Sequence, residues 1–334
     1  MGVWAYIGKR MLQAVPTLVL ISILVFIIIQ LPPGDYVESF IAEQAAMGEP
    51  VSAEKAQQLR AEFGLDQPMW KRYLDWATGF VQGDFGYSLS RDLPVSEVLG
   101  ERIWLTIVLN MAVIIFIWAV SFPIAIWSAT HPYSWSDNAL TLLGFIGLAT
   151  PNFLLALVLL YLSNQWFGTS IGGLMAPEYQ DQPLSWAKLG SILGHMWVPV
   201  AVIGTSGTAA MIRRLRANLM DELHKPYVTT ARARGLSEGK LLVKYPLRVS
   251  LIPFIADIGN MLPQIISGAA IVSVVMSLPT TGPVLVEALQ AQDMYLAGSF
   301  LMFLAMLTVF GMLISDILLA VLDPRIRLQG GSQR

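Results

Sequence analysis

The sequence of 334 residues contains no cysteine and few charged side chains. Without cysteine, disulfides, zinc–thiolate sites and a cysteine nucleophile are all excluded. Charged residues make up 13% of the chain, whereas a water-soluble protein has about 25%. Because 55% of the residues are hydrophobic and the mean hydropathy is +0.59, the composition indicates a chain surrounded largely by lipid. The net charge of −2 provides no basic field that would attract nucleic acid.

Signatures of catalysis are also missing from the sequence. The histidines, His131, His195 and His224, lack the HxxxH or HExxH spacing of metal ligands, and no GxSxG nucleophile motif occurs. Asp257 and Asp316 lie within apolar runs, where a carboxylate is costly. We expect hydroxyls or backbone donors of neighbouring helices to satisfy both, with a role in proton transfer as the alternative. The sequence therefore predicts that the chain is not an enzyme.

Apolar runs long enough to cross a bilayer, which takes about 20 helical residues, occur along the whole chain. The first follows Lys9 and Arg10 and exceeds the apolar core of a cleavable signal peptide, so we expect it to remain as a helix. The predicted membrane helices are 9–31, 103–129, 139–166, 190–212, 252–278 and 296–322.

Basic residues predict the orientation of these helices, since they favour the cytoplasmic side. They lie before the first helix, after the last, and throughout 213–250, whereas 279–295 has none and 167–189 has only Lys188. Both termini and 213–250 are therefore expected in the cytoplasm. The short segment 131–138, expected on the same side, carries no Lys or Arg.

The segment 32–101 then falls outside the cytoplasm. Ser52 is a predicted N-cap for a helix that runs through Phe63 and stops at Gly64. A second helix there carries four aromatic residues on one face, which either packs on protein or lies at the membrane interface. These residues are Trp70, Tyr73, Trp76 and Phe80.

The stretch PYVTTARARGLSEGKL at 226–241 is polar and basic in an apolar chain. It is not a phosphate-binding loop, because Gly235 and Gly239 are separated by three residues rather than four and no Ser or Thr follows the lysine. Nucleic-acid binding is not indicated either, since no aromatic platform accompanies the charge. Its residues predict a short helix beginning at Pro226, a left-handed stop at Gly235 and a second helix capped by Ser237.

Small side chains on the first of these two helices would let another protein backbone come close. They belong to Thr230, Ala231 and Ala233. The second helix is expected to lead back to the membrane and to reach it at Pro253. We interpret the stretch as a docking knob for a partner protein.

Fragments along nearly the whole chain resemble permease subunits of ATP-binding-cassette (ABC) importers of the dipeptide, oligopeptide and nickel subgroup. The fragments are LPPGD, FGLDQPMWKRYLDWATGFVQGDFGYSL, PVSEVL, TPNF, ARARGL, PLRVSLIP and LDPRIRL. The family places a glutamate six residues before the glycine of the knob, where this chain has Thr229. Another departure is PTTGP at 279–283, where the family more often has a glycine-rich turn.

The resemblance implies an all-α membrane protein with six transmembrane helices, as in type I ABC importers, and an extracytoplasmic helical insertion between the first two. Residues 1–31 would form the cytoplasmic N-terminus and the first helix, and 32–101 the insertion. Residues 102–323 would form a core of five helices that includes the cytoplasmic coupling loop 213–250. Residues 324–334 would form a cytoplasmic tail.

The implied function is that of a permease subunit in an ATP-driven, binding-protein-dependent importer of the bacterial inner membrane. Its partners would be a second, similar permease, two cytoplasmic ATPase subunits that bind ATP and magnesium, and an extracytoplasmic solute-binding protein. This chain itself would hold no cofactor or metal. The implied ATPase contact comprises Tyr227, Thr229, Thr230, Ala231, Arg232, Ala233, Arg234, Gly235 and Leu236.

Candidate residues for the substrate pathway lie in the fourth and fifth predicted helices, and ordinary helix packing is their alternative role. They are Ser206, Thr208, Met261, Gln264, Ser267 and Met276. The expected solute is a peptide, with nickel complexes, opines and oligosaccharides as alternatives. An ion-coupled secondary transporter would show paired repeats with interrupted helices, and no such halves are evident in the sequence. A membrane-embedded enzyme would need a convergent polar constellation.

Overall fold

The computed structural model describes residues 3–31, 34–49, 51–167, 172–179 and 182–322. These residues are helical apart from their connections and one small hairpin, which confirms the predicted all-α class. The long helices are α1 (Val3–Gln30), α5 (Val95–Thr130), α8 (Trp186–Leu223), α12 (Ile252–Val275) and α14 (Met294–Leu322). The shorter ones are α2 (Tyr36–Ala46), α3 (Ala53–Glu62), α4 (Met69–Gln82), α6 (Trp135–Ala149), α7 (Asn152–Phe167), α9 (Pro226–Ala233), α10 (Glu238–Lys244), α11 (Pro246–Ser250) and α13 (Thr281–Gln290). The hairpin pairs β1 (Tyr87–Ser88) with β2 (Leu93–Pro94) in antiparallel register.

Four helices of the described chain are individually long and apolar enough to cross a membrane. They contain Ile7–Gln30, Val95–Thr130, Trp186–Leu223 and Met294–Leu319. Two bent pairs raise the number to six if each pair forms one span: α6 with α7, bent by 96°, and the halves Ile252–Met261 and Pro263–Val275 of α12, bent by 50°. Each predicted membrane helix overlaps one of these segments, and the count of six spans stays a prediction.

The two bends occur at prolines. Between α6 and α7, Thr150 is extended at φ −85° and ψ 117°, as a residue before proline prefers. The prediction of one continuous helix over 139–166 is therefore wrong, because Pro151 ends α6. Within α12, Pro263 has no N–H to donate to the carbonyl of Gly259, which loosens the helix at this point.

The chain divides into two compact units. The first is built mainly from 107–279 and 311–322, and the second from 7–106 and 280–310. The segment 32–101 therefore shares a unit with most of α1, with α13 and with the beginning of α14.

In the second unit, an aromatic cluster holds α4 in place. Trp76 is 4% exposed and packs with Phe26, Met294 and Met302, while Tyr73 and Phe80 are half-buried beside it. Packing on protein is therefore observed for Tyr73, Trp76 and Phe80 of the predicted aromatic face. Trp70, 66% exposed, takes no part in this cluster.

The helix predicted after Ser52 is confirmed as α3. The Ser52 hydroxyl accepts a hydrogen bond from the Lys55 N–H at 3.2 Å, which satisfies one of the free donors of the first turn. Gly64 follows the helix with φ +63°, the left-handed conformation expected of a glycine stop.

Buried polar contacts attach the hairpin to the region between α13 and α14. Asp293 is fully buried and accepts hydrogen bonds from the Ser88 hydroxyl at 2.7 Å and the Ser90 N–H at 3.0 Å. Arg91 forms an ion pair with Glu287 of α13. The sequence predicted no helix between 278 and 296, where the structure has α13, so the expectation of a loop over 279–295 is wrong.

Candidate functional site

The polar stretch folds into a compact helical knob, which we define as residues 225–245. The predicted loop 213–250 is wrong in its first part, since α8 continues without a break to Leu223. Arg213, Arg214 and Arg216 therefore lie on a helix. The knob begins at Lys225, two residues after the end of that helix.

The local structure of the knob confirms the helix–glycine–helix prediction. Pro226 occupies the first position of α9, where its missing N–H costs nothing. Gly235 then has φ +79°, the left-handed conformation that favours glycine. Ser237 is the N-cap residue of α10, but its side chain makes no capping hydrogen bond. The position of the predicted cap is thus correct and its bond is absent.

A small apolar core holds α9 against α10. Val228, Ala231 and Leu241 are buried, and Leu236 and Tyr245 pack against them. The expectation that Ala231 offers its small side chain to a partner is wrong, because this side chain is 6% exposed and lets α9 approach α10 of the same chain. The exposed members of the predicted interface are Tyr227, Thr229, Thr230, Arg232, Ala233, Arg234 and Gly235.

Two polar contacts tie the knob to its neighbours. The Tyr227 hydroxyl donates to Glu222 at the end of α8. Burial and this bond raise the pKa of the Tyr227 hydroxyl above its ordinary value, so that the donor stays protonated at neutral pH. Across the glycine turn, Arg232 Nε and Nη2 pair with Glu238 at 2.6 and 3.1 Å. Arg232 lowers the pKa of the Glu238 carboxyl, so this pair persists at neutral pH and is lost in acid.

Two short helices, α10 and α11, connect the glycine turn to α12. The prediction of one helix up to Pro253 is wrong, since the helical path breaks at Tyr245 and again at Leu251. Tyr245 has φ −118° and ψ −81°, outside the helical region. Between these breaks, α11 packs against α8 and buries Pro246.

Arginines on the last part of α8 bind carboxylates from two other helices. Arg216 pairs with Asp137 of α6 through bonds of 2.8 and 2.6 Å, and Asp137 is 1% exposed. Arg214 pairs with Asp257 of α12 at 3.2 Å, where Asn260 also donates. The donors to Asp257 are therefore the side chains of Arg214 and Asn260 and not the expected hydroxyls or backbone groups, because α8 lies beside α12 here.

A cavity of about 270 Å³ lies at the break between α6 and α7. Its wall includes Pro151 and Asn152 from this break, Ser206 from α8, and Gly268 from α12. The Asn152 amide donates to the Ser206 hydroxyl at 3.2 Å. The structure thus places one predicted pathway residue, Ser206, at a polar cavity.

The other predicted pathway residues do not line this cavity. Thr208 and Met276 are buried, Met261 is half-buried, and Gln264 and Ser267 are exposed. Asn152 was missed by the sequence prediction. The signal that could have found it is the preceding proline, because interrupted membrane helices often line substrate sites.

Metal-binding side chains do not converge in the described part of the chain, where no three His, Asp or Glu residues form a possible site. The polar groups of the knob and of the cavity are amides, hydroxyls and ion pairs.

Comparison with known proteins gives matches over most of the chain. Residues 121–328 match the family described as binding-protein-dependent transport system inner membrane component, and residues 3–110 match the description of its N-terminal part. The chain is similar to the oligopeptide transport system permease protein AppB of Bacillus subtilis (strain 168), with 34% identity over 96% of this chain and 99% of that protein. It is 30% identical to the dipeptide transport system permease protein DppB of Escherichia coli (strain K12), over 96% and 98% of the two chains. A putative peptide permease protein of Brucella ovis is 29% identical, over 97% and 99%.

Proposed function

The chain belongs to the family of binding-protein-dependent transport system inner membrane components, and we propose that it forms half of the solute pathway of an ATP-driven peptide importer. The peptide substrate is supported by relatives named as oligopeptide and dipeptide permeases. A second, similar permease would complete the pathway. A solute-binding protein would deliver the peptide, and two ATPase subunits would bind ATP and magnesium.

The observation that carries the coupling proposal is the construction of the knob. Its exposed face lies on α9, and its own core holds that helix through Val228 and Leu241. Tyr227 joins α9 to α8, and Arg232 joins it to α10. A partner that grips α9 would therefore move these helices together.

Motion of the knob would reach the cavity through the two membrane helices that flank it. On one side, α8 runs from the knob to Ser206 in the cavity wall. On the other, α10 and α11 lead to α12, which contributes Gly268 to the same wall. Closure of the ATPase subunits would thus change the shape of the cavity.

The proposed orientation places both termini and the knob in the cytoplasm. The basic residues of α8 and the knob support this orientation. The Asp137–Arg216 ion pair adds support, because it joins the start of α6, which lacks basic residues of its own, to the basic end of α8. The insertion 32–101 would then face the binding protein.

An arginine on the exposed face of the knob tests the docking proposal. Ala233 is exposed on α9, so Ala233→Arg should fold normally but hold the partner away. We expect solute uptake by vesicles with the purified complex to fall at least about tenfold, the effect of roughly 1.4 kcal/mol of lost docking energy. The ATPase activity should lose its response to the solute-binding protein.

Two further variants control this experiment. Asn138→Arg introduces the same charge at an exposed site near the start of α6, outside the knob and the insertion, and should leave uptake unchanged. Ala231→Arg should instead destabilise the knob itself, since this side chain is buried. Normal coupled transport by the Ala233→Arg complex would disprove the docking assignment, and uptake driven by an ion gradient without ATP would disprove the importer class.

A further inference from the structure

A groove between α6 and α8 combines an apolar channel with a basic mouth. It has a volume of about 180 Å³. The channel is lined by Leu140, Gly144, Phe145, Leu148, Ala209 and Ile212. Arg213 and Arg216 line the same groove at the end nearer the knob. This combination is complementary to a ligand with an anionic head and an apolar tail.

The two arginines differ in how their charge is used. Arg216 is neutralised by its bidentate pair with the buried Asp137. Arg213 is exposed, and within the described residues it makes no hydrogen bond or ion pair. Its lone positive charge at the mouth of an apolar channel is complementary to a phosphate group.

Exposed aromatic residues mark the level of the membrane interface at this mouth. Trp127, Tyr133 and Trp135 are 51%, 78% and 86% exposed, and they surround the turn from α5 to α6. Exposed Trp and Tyr side chains favour the headgroup level of a bilayer. Asp137 follows Trp135 by two residues on α6 and pairs with Arg216 of α8, so the basic mouth opens at that level.

The length of the channel matches part of an acyl chain. From Leu140 to Leu148 it follows α6 for roughly 12 Å, at 1.5 Å per helical residue. It leads from the interface toward the apolar middle of both helices. Exposed side chains on α6, among them Leu142 and Leu143, continue the apolar surface beside it.

We propose that the groove between α6 and α8 is a binding site for an anionic phospholipid, with the phosphate on Arg213 and one acyl chain along the channel. The site lies on the helix that ends at the knob. An occupied site would pack α6 against α8, so lipid composition would influence the stability of this helix pair. The inference needs only that the chain lies in a bilayer and holds whether or not the proposed coupling is correct.

Native mass spectrometry of the full chain, purified in detergent, tests the site with two probes of identical acyl chains. We expect one molecule of phosphatidylglycerol to be retained about fivefold more tightly than phosphatidylcholine, in keeping with about 1 kcal/mol per basic residue at a membrane surface. Arg213→Gln should abolish this preference. Lys240→Gln, which removes an exposed charge in the knob, should leave it unchanged.

A second pair of variants tests the channel independently of charge. No atom lies within 4 Å of a Cβ added at Gly144, so the backbone there accepts a side chain, and Gly144→Leu should occupy the channel and remove retention of both lipids. Gly190→Leu is the matched control, because an added Cβ there is equally unobstructed and Gly190 lies near the start of α8, away from the groove. Circular dichroism and gel filtration would verify that all variants fold.

Several outcomes would overturn the proposal. Equal retention of the two lipids by the unmodified chain, or unchanged preference in Arg213→Gln, would remove the role of the arginine. Displacement of the lipid by inorganic phosphate at equal concentration would make the groove a free anion site. A photoreactive residue at Thr141 should crosslink to phospholipid in membranes, and capture of a second permease chain instead would identify the groove as a subunit interface.

Discussion

At the scale of single residues, Asn152 connects the break after α6 to the helix that leads to the knob. Asn152→Ala and Ser206→Ala are each expected to lower the free energy of unfolding by about 1 kcal/mol, since each removes the hydrogen bond between these side chains. The double variant should lose less than the sum, because both changes remove one shared bond. Thermal unfolding of the four proteins in one detergent measures this coupling, and additive losses would show that the two side chains do not interact.

Residues also differ in how well their surroundings could be predicted. Asp257 was expected to be satisfied by hydroxyls or backbone donors, whereas the Arg214 guanidinium and the Asn260 amide donate to it. Ala231 was expected to face a partner, yet it faces Leu241. Both helical faces near Ala231 carry small side chains, so local sequence could not indicate which one α10 covers.

At the scale of elements, the glycine turn of the knob determines where α9 ends. No atom lies within 4 Å of a Cβ added at Gly235, so the cost of Gly235→Val comes from its φ of +79°. A left-handed residue with a side chain costs roughly 1–2 kcal/mol. Hydrogen exchange of the α9 amides should therefore rise about 5- to 30-fold if the knob opens as a unit.

Gly239→Val is the matched control for this turn. Gly239 lies in α10, also without an atom within 4 Å of an added Cβ, and its φ is not positive. The same substitution should leave exchange unchanged or slow it, because valine favours a helix slightly more than glycine does. Equal effects of the two variants would contradict the role of the left-handed conformation.

The crossing of α12 and α14 depends on a glycine in each helix. A Cβ at Gly259 would lie 2.4 Å from the backbone nitrogen of Met312, and a Cβ at Gly311 would lie 2.8 Å from the Cα of Gly259. Because backbone atoms cannot rotate away, Gly259→Ala should destabilise the chain by roughly 1–3 kcal/mol. Gly268→Ala on the same helix meets nothing within 4 Å. Melting temperatures of the two variants measure the difference, and equal values would show that the helices separate easily.

At the scale of the whole molecule, the proposed orientation can be tested because the chain has no cysteine of its own. Lys240→Cys and Glu54→Cys place single exposed thiols on the knob and on the insertion. In right-side-out membranes, an impermeant maleimide should label position 54 and leave position 240 unlabelled. Inverted membranes should give the opposite result. Labelling of both thiols from the same side would refute the orientation.

Family membership was predicted from the sequence, and the matches over 3–110 and 121–328 confirm it. Long apolar runs were also found close to their observed positions, since burial in lipid requires the same length of helix in any fold. Shorter elements were less predictable. The helix α13 was missed because 279–295 is short and has two prolines and a glycine near its start.

Composition and local pattern alone determined that the chain is helical, that it lies in a membrane, and that it carries a helix–glycine–helix knob at Pro226. These properties depend on hydrophobicity and on backbone preferences, which each residue carries with it. Only the tertiary structure decided that Arg216 neutralises Asp137, that Asn152 meets Ser206, and which side of α9 stays exposed. Such pairings join residues far apart in the sequence, and they depend on how whole helices pack rather than on any local preference.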